Sequence, residues 1–162
     1  MNKKISKINS LIKKKYKYEL LENGFSSKDI AAGRKVLDSK RITMAENTRK
    51  FEDAFAKKIG LKYALMVNSG SSANLLAAFA AGNILRKKRY KIGDEVLIPV
   101  LCWSTSVWPF VQFGLKPVFI DIDKDTLNIS IKDLKKKITK KTSAIIIVHL
   151  YGECCNFSEI KK

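Results

Sequence analysis

The stretch "MVNSGSSANLLAAF" covers residues 66–79. An apolar run from Ala64 to Val67 breaks at Asn68-Ser69-Gly70-Ser71-Ser72, and an Ala/Leu-rich helical pattern begins at once. Serine and glycine at such a joint have two readings. They cap a helix, or they seat a phosphate, because a helix N-terminus offers free backbone N–H groups and the positive end of the dipole. In the second reading Gly70 lets the backbone come close and the hydroxyls of Ser71 and Ser72 add donors. The joint alone does not choose between them.

The pattern on either side alternates between strand and helix. Strands are expected at Tyr63 to Val67, Glu95 to Val100, Pro117 to Asp121 and Ser143 to His149. Helices are expected from Ser72 to Leu85, from Ser104 to Phe113 with an interruption at Pro109, and from Ile131 to Ile138. Upstream, Ser26 to Asp29 has the character of a cap and starts a helix to about Leu37. Thr43 to Glu46 fits a capping box, although Asn47 or Thr48 could equally start the helix. There Phe51, Ala54, Phe55 and Ile59 share one face, and Gly60 ends it. Runs such as "AIIIV" suit strands buried on both faces. The alternation predicts an α/β fold, a mostly parallel sheet with helices on both faces. Residues 1–24 read as a basic lead-in of weak order, and 25–162 as one incomplete domain. The terminal "CNFSEIKK" reads as the first turn of a further helix, so the chain is expected to be the front part of a longer protein.

Composition narrows the function. The chain has 162 residues, 46% hydrophobic, and a net charge of +17. Of the 32 cationic residues, 27 are lysine. Nucleic-acid readers lean on arginine forks, so nucleic acid is a disfavoured partner and the charge is read as compositional. No apolar run is long enough to span a bilayer, and no membrane partner is expected. Three cysteines, with Cys154 and Cys155 adjacent, argue against a disulfide framework. With His149 the one histidine, zinc-ligand spacing is missing. A reducing, cytoplasmic setting follows.

A second feature joins the first. The strand Glu95 to Val100 runs into "LCWSTSVWP", which sets Trp103 just before a helix start at Ser104-Thr105. Ligands of open α/β sheets collect outside the carboxyl ends of the strands. A phosphate seat and an indole on neighbouring turns suit a planar, phosphorylated cofactor.

At this point the sequence resembles the DegT/DnrJ/EryC1/StrS sugar aminotransferase family. The matching stretches are "TRKFEDAFAKKIGLKYALMVNSGSSANLLAAFAA", "KIGDEVLIPVLCWSTSVWPFVQFGLKPVFIDIDKDTLNI" and "KKTSAIIIVHLYG", together covering about residues 40 to 152. The resemblance implies the fold type I scaffold, pyridoxal 5′-phosphate as cofactor and a homodimer with shared sites. It implies that Gly70, Ser71 and Ser72 bind the cofactor phosphate and that Trp103 stacks on the pyridine ring. Asp121 and Asp123 match a "VFxDxD" segment, structural or on the substrate side. His149 matches the histidine of an "HxxG" turn and lines the site or sits satisfied in the core. Met44 to Asn47 departs from the family's small glycine-containing turn, and Cys154-Cys155 lies where members vary.

The family's chemistry also needs a lysine for the Schiff base and an acid at the pyridine nitrogen. No lysine here stands in that context, and no catalytic residue is assigned. The expected function is the N-terminal part of an aminotransferase for a nucleotide-linked keto-sugar, with glutamate as amino donor, in amino-sugar and surface-polysaccharide synthesis. The chain alone is expected to be inactive. The alternatives are a nucleotide-sugar 3-dehydratase of the same family, in which a histidine replaces the lysine, a non-catalytic binding relic, and a basic nucleic-acid-binding domain.

Overall fold

The computed structural model describes residues 24–43 and 45–161, which fall into two compact units divided between Met66 and Val67. Most of the basic lead-in, and Met44, lie outside the described residues.

The first unit carries two helices. Helix α1 is Ser27–Asp38, and its start is the expected one. Ser26 Oγ accepts from the Asp29 amide at 3.3 Å and the Ser26 amide donates to Asp29 Oδ2 at 2.8 Å, a reciprocal capping box. Helix α2 is Glu46–Lys58. The capping box at Thr43 to Glu46 does not form: Ala45, which has no side-chain acceptor, occupies the cap position. The first turn is supported instead by the Glu46–Lys50 ion pair at 2.6 Å. Phe51 and Phe55 stack with ring centroids 5.8 Å apart, so the expected apolar face is present, though it is open to solvent. Gly60 follows at φ +70°, as a helix-terminating glycine should.

The expected strand at Tyr63 to Val67 is absent. The segment is extended but joins no ladder among the described residues. The Met66 amide donates to Glu52 Oε1 at 2.8 Å rather than to a neighbouring strand, and Tyr63 and Leu65 are exposed. An apolar run becomes a strand only when another strand accepts its hydrogen bonds.

The second unit is the α/β layer. Helix α3 is Gly70–Ala81, followed by β1 (Glu95–Pro99), a 3₁₀ turn at Ser104–Ser106 and α4 (Trp108–Phe113). Then come β2 (Lys116–Ile120), α5 (Ile131–Lys137), β3 (Thr142–Ile145) and the short α6 (Phe157–Ile160). The strands pair in parallel in the order β2-β1-β3. Right-handed crossovers from β1 to β2, and from β2 back past β1 to β3, require helices on opposite faces. Alternate residues show this. Val96 and Ile98 pack with Ala78 and Phe110 on one face, while Leu97 packs with Ile120, Ile129 and Leu134 on the other. The parallel α/β layer with both faces covered is the predicted class.

Three boundaries shift. Helix α3 begins at Gly70 rather than Ser72 because Ser69 is its cap, and it ends at Ala81 with Gly82 as C-cap. The second break shifts from Pro109 to Val107; Pro109 sits in the first turn of α4, where a missing N–H costs nothing. Strand β3 stops at Ile145: Ile146 still donates to the Leu97 carbonyl at 2.8 Å, but β1 ends at Pro99 and offers no further partners.

Candidate functional site

The helix start at Gly70 defines the first half of the site. Ser69 Oγ accepts from the Ser72 amide at 3.2 Å, and the Ala73 amide donates to the Ser69 carbonyl at 3.0 Å. The Gly70 and Ser71 N–H groups, one turn too early for an intrahelical acceptor, remain to serve a ligand. Ser69 Oγ also lies 3.2 Å from Ser72 Oγ, so the two hydroxyls form one polar cluster above the turn. A Cβ built on Gly70 meets nothing within 4 Å, so the space over this turn is open.

The second half is the turn after β1. Trp103 is 75% exposed, and Ser106 donates to its carbonyl at 2.9 Å to close the 3₁₀ turn. Two residues on, the Thr105 carbonyl accepts a hydrogen bond from the Asn74 side-chain amide at 3.2 Å. Asn74 is the single polar residue between Ala73 and Ala81. This bond ties the first turn of α3 to the turn that carries Trp103.

Asp121 and His149 follow β2 and β3 on the same carboxyl rim, flanking β1 to either side. Local bonds engage both. Asp121 Oδ1 accepts from the Ile122 amide at 2.8 Å, and the Asp121 amide donates to Asp133 Oδ2 at 2.8 Å. That amide, more than the Lys137 ammonium, holds the Asp133 carboxyl below its ordinary range. Asp123 Oδ1 accepts from the amides of Thr126 and Asp125, an Asx-type turn that lowers its own titration. His149 Nδ1 accepts from the Cys155 amide at 3.1 Å, which leaves the ring proton on Nε2. Its ring lies 5.5 Å from that of Phe157.

Two organising residues escaped the sequence reading. Asn128 is buried; its Nδ2 donates to the Glu153 carbonyl at 3.1 Å and its Oδ1 accepts from the Cys155 thiol at 3.3 Å. Through these bonds it fixes the loop that ends at His149. A polar residue inside the apolar "TLNI" was the available signal. Asn74 was the other, isolated in an apolar helix. Burial pushes the thiols of Cys102 and Cys155 up, away from thiolate character, so neither is an activated nucleophile. Among the described residues no cluster of His, Cys, Asp and Glu could hold a metal ion.

A parallel α/β layer with a ligand-ready helix N-terminus tied to an exposed indole is a domain built to hold a phosphorylated, flat molecule. Sequence comparison gives the class a family. The chain belongs to the DegT/DnrJ/EryC1/StrS aminotransferase family, whose model matches residues 25–162. It is 46% identical over 145 residues to the GDP-4-keto-6-deoxy-D-mannose 3-dehydratase of Escherichia coli O55:H7, a match covering 90% of this chain and 37% of that protein. It is 39% identical over 125 residues to the GDP-perosamine synthase of Escherichia coli O157:H7, covering 76% and 32%. Among solved structures, the E. coli GDP-4-keto-6-deoxy-D-mannose-3-dehydratase with bound hydrated PLP superposes with a TM-score of 0.83 at 46% identity, over 89% of this chain and 37% of that one. The aminotransferase from Psychrobacter cryohalolentis superposes with a TM-score of 0.73 at 30% identity, over 85% and 34%. The chain thus spans 37% of the length of the first of these relatives.

Proposed function

We propose that residues 25–162 are the N-terminal portion of the large domain of a pyridoxal 5′-phosphate-dependent enzyme acting on a GDP-linked 4-keto-6-deoxy sugar. The observation that carries the reading is the Asn74–Thr105 bond, which holds a phosphate-ready helix start and an exposed indole together. Removal of the 3-hydroxyl is the first reading, because a GDP-4-keto-6-deoxy-D-mannose 3-dehydratase is 46% identical to this chain. Transfer of an amino group is the second, supported by the 39% identity to a GDP-perosamine synthase. The comparison reverses the order that the sequence suggested.

The residues fit the cofactor. The Gly70 and Ser71 amides, with the hydroxyls of Ser71 and Ser72, would hold its phosphate at the positive end of the α3 dipole. Trp103 would cover one face of its ring and exclude water there. Asp121 and the Nε2–H of His149 would line the rim beside it. When bound, the cofactor supplies a reactive carbonyl and an electron-accepting ring. We assign to no residue of this chain the base at that carbonyl or the acid at the ring nitrogen. A homodimer is part of the proposal.

Two experiments test it. In a Trp108→Phe background, pyridoxal 5′-phosphate should quench the fluorescence of Trp103, and unphosphorylated pyridoxal should quench it far less. Equal quenching by both would remove the phosphate seat. Separately, residues 25–162 should replace the matching segment of the E. coli 3-dehydratase and leave a chimera that still binds the cofactor and dehydrates its sugar. A folded chimera with neither property would overturn the assignment.

A further inference from the structure

The opposite edge of the sheet carries a feature that the cofactor site does not use. Between α3 and β1 the chain reads "NILRKKRYKIGD", residues 83–94. It packs five cations, Arg86, Lys87, Lys88, Arg89 and Lys91, into six residues. Interleaved with them are aliphatic side chains that face water: Ile84 is 77% exposed, Leu85 87% and Ile92 82%.

This loop has a defined shape. The Leu85 amide donates to Asn83 Oδ1 at 2.9 Å and the Arg86 amide to the Asn83 carbonyl at 3.0 Å. Arg89 Nη1 donates to the Ile84 carbonyl, folding the tip back on itself. Tyr90 is buried against Phe110 and Phe113 and donates to the Ala78 carbonyl, which anchors the base. Ile84 and Leu85 are therefore held out in solvent by the bonds around them.

The neighbourhood extends the positive charge. The Lys116 amide donates to the Asp94 carbonyl and the Glu95 amide to the Lys141 carbonyl, so Lys116 and Lys141 flank the loop's end on the same amino-terminal rim. Lys140 is adjacent, and all three lysines are exposed. The acids of this rim are engaged: Asp94 Oδ2 accepts from the Lys91 amide and Glu95 Oε2 from the Thr139 hydroxyl.

We propose that this rim is a peripheral docking surface for an anionic lipid bilayer, with Ile84 and Leu85 entering the headgroup boundary and the surrounding cations meeting acidic headgroups. Basic residues alone would suit any polyanion. The exposed aliphatic pair discriminates, because it gains from an acyl boundary and gains nothing from a nucleic-acid backbone. Among the described residues no helix is long and apolar enough to cross a membrane, so the contact is superficial. It departs from the composition-based expectation of no membrane partner, and it is independent of the cofactor reading, since the rim lies at the other end of the strands.

The test is co-sedimentation of the full chain with vesicles of phosphatidylcholine alone or with 30% phosphatidylglycerol, at about 0.1 M salt, where charge is only partly screened. Binding should appear with the anionic vesicles and be near background with the neutral ones. Ile84→Ser with Leu85→Ser should weaken it about tenfold or more, since two aliphatic side chains lose their burial. Lys87→Glu with Lys88→Glu should weaken it about twentyfold or more, at roughly a fivefold factor per cation removed. Circular dichroism should be unchanged in both variants, as the altered side chains are exposed. No binding to anionic vesicles would overturn the proposal. So would binding that the serine variant leaves intact, or tighter binding to a single-stranded RNA that is equally indifferent to that variant.

Discussion

The Asn74 side-chain amide donates to the Thr105 backbone carbonyl at 3.2 Å, across the gap between the first turn of α3 and the turn bearing Trp103. Each turn presents its own ligand group: amides at Gly70 and Ser71, an indole at Trp103. A single partly buried hydrogen bond contributes roughly 1 kcal/mol net, about fivefold in an equilibrium constant. Asn74→Ala should therefore weaken pyridoxal 5′-phosphate binding by about that factor. Inorganic phosphate uses only the amides of α3, so its competition constant should stay the same. An equal loss for both ligands in the fluorescence titration would mean that Asn74 merely supports the helix.

The cap is separable from the seat. Ser69 Oγ accepts from the Ser72 amide, whereas Ser71 is exposed and makes no contribution to the cap. Ser69→Ala should lower unfolding stability by about 1 kcal/mol. Ser71→Ala should leave stability within about 0.5 kcal/mol, as exposed substitutions do, and weaken phosphate binding. Urea titrations of both variants check the pair, and a larger loss for Ser71→Ala would reverse the assignment of roles.

Two glycines give opposite expectations. A Cβ on Gly82 would lie 2.2 Å from Phe113 Cζ, inside a ring packed edge-on against Phe79 and Tyr90. Gly82→Ala should cost about 1–3 kcal/mol through overpacking. A Cβ on Gly70 meets nothing within 4 Å and sits in a helical conformation, so Gly70→Ala should keep stability. It should still weaken the cofactor, because the added methyl stands where the phosphate approaches. Thermal melts beside the fluorescence titration separate the two, and a destabilised Gly70→Ala would contradict this geometry.

The sequence made the α/β layer legible where hydrophobic period and punctuation agree. Glu95 to Pro99 is apolar on both faces and closed by proline; Gly114 at φ +100° ends α4 where a glycine was expected to. It misled at Tyr63 to Val67, because a strand pattern carries no information about whether a partner accepts its hydrogen bonds. It also misplaced the start of α3 by two residues, since three serines compete for one cap and only folded geometry shows which hydroxyl reaches the Ser72 amide. Asn74 and Asn128 stayed unassigned because their partners are carbonyls 31 and 25 residues away, and a carbonyl has no sequence signature.

Asn128 gives the loop under His149 its shape. Its Oδ1 accepts from the Cys155 thiol and from the Leu150 amide, and its Nδ2 serves the Glu153 carbonyl. Asn128→Ala leaves those partly buried partners unsatisfied, a loss of about 1–3 kcal/mol. Hydrogen exchange should speed up first at the Leu150 and Cys155 amides, before β1 is affected. Protection lost evenly through β1 as well would show that the loop and the sheet open as one unit.

Acid should reach this same region first. Asp133 is held below its ordinary value of 3.8 by the Asp121 amide first and then by Lys137, and Asp123 is lowered by the Thr126 amide. A carboxylate with a depressed folded value contributes stability that is fully present above its unfolded value and lost as pH falls through the folded one. Melting temperature should therefore hold steady down to about pH 5, where unfolded carboxylates are still ionised, and fall once the pH drops below it. Asp133→Asn removes the charge and the acceptor Oδ2 of one amide, so its curve should be lower at neutral pH and flatter in acid. Differential scanning calorimetry from neutral pH into acid measures both slopes. Parallel curves for the variant and the parent would mean that the Asp121–Asp133 bond carries none of the acid sensitivity.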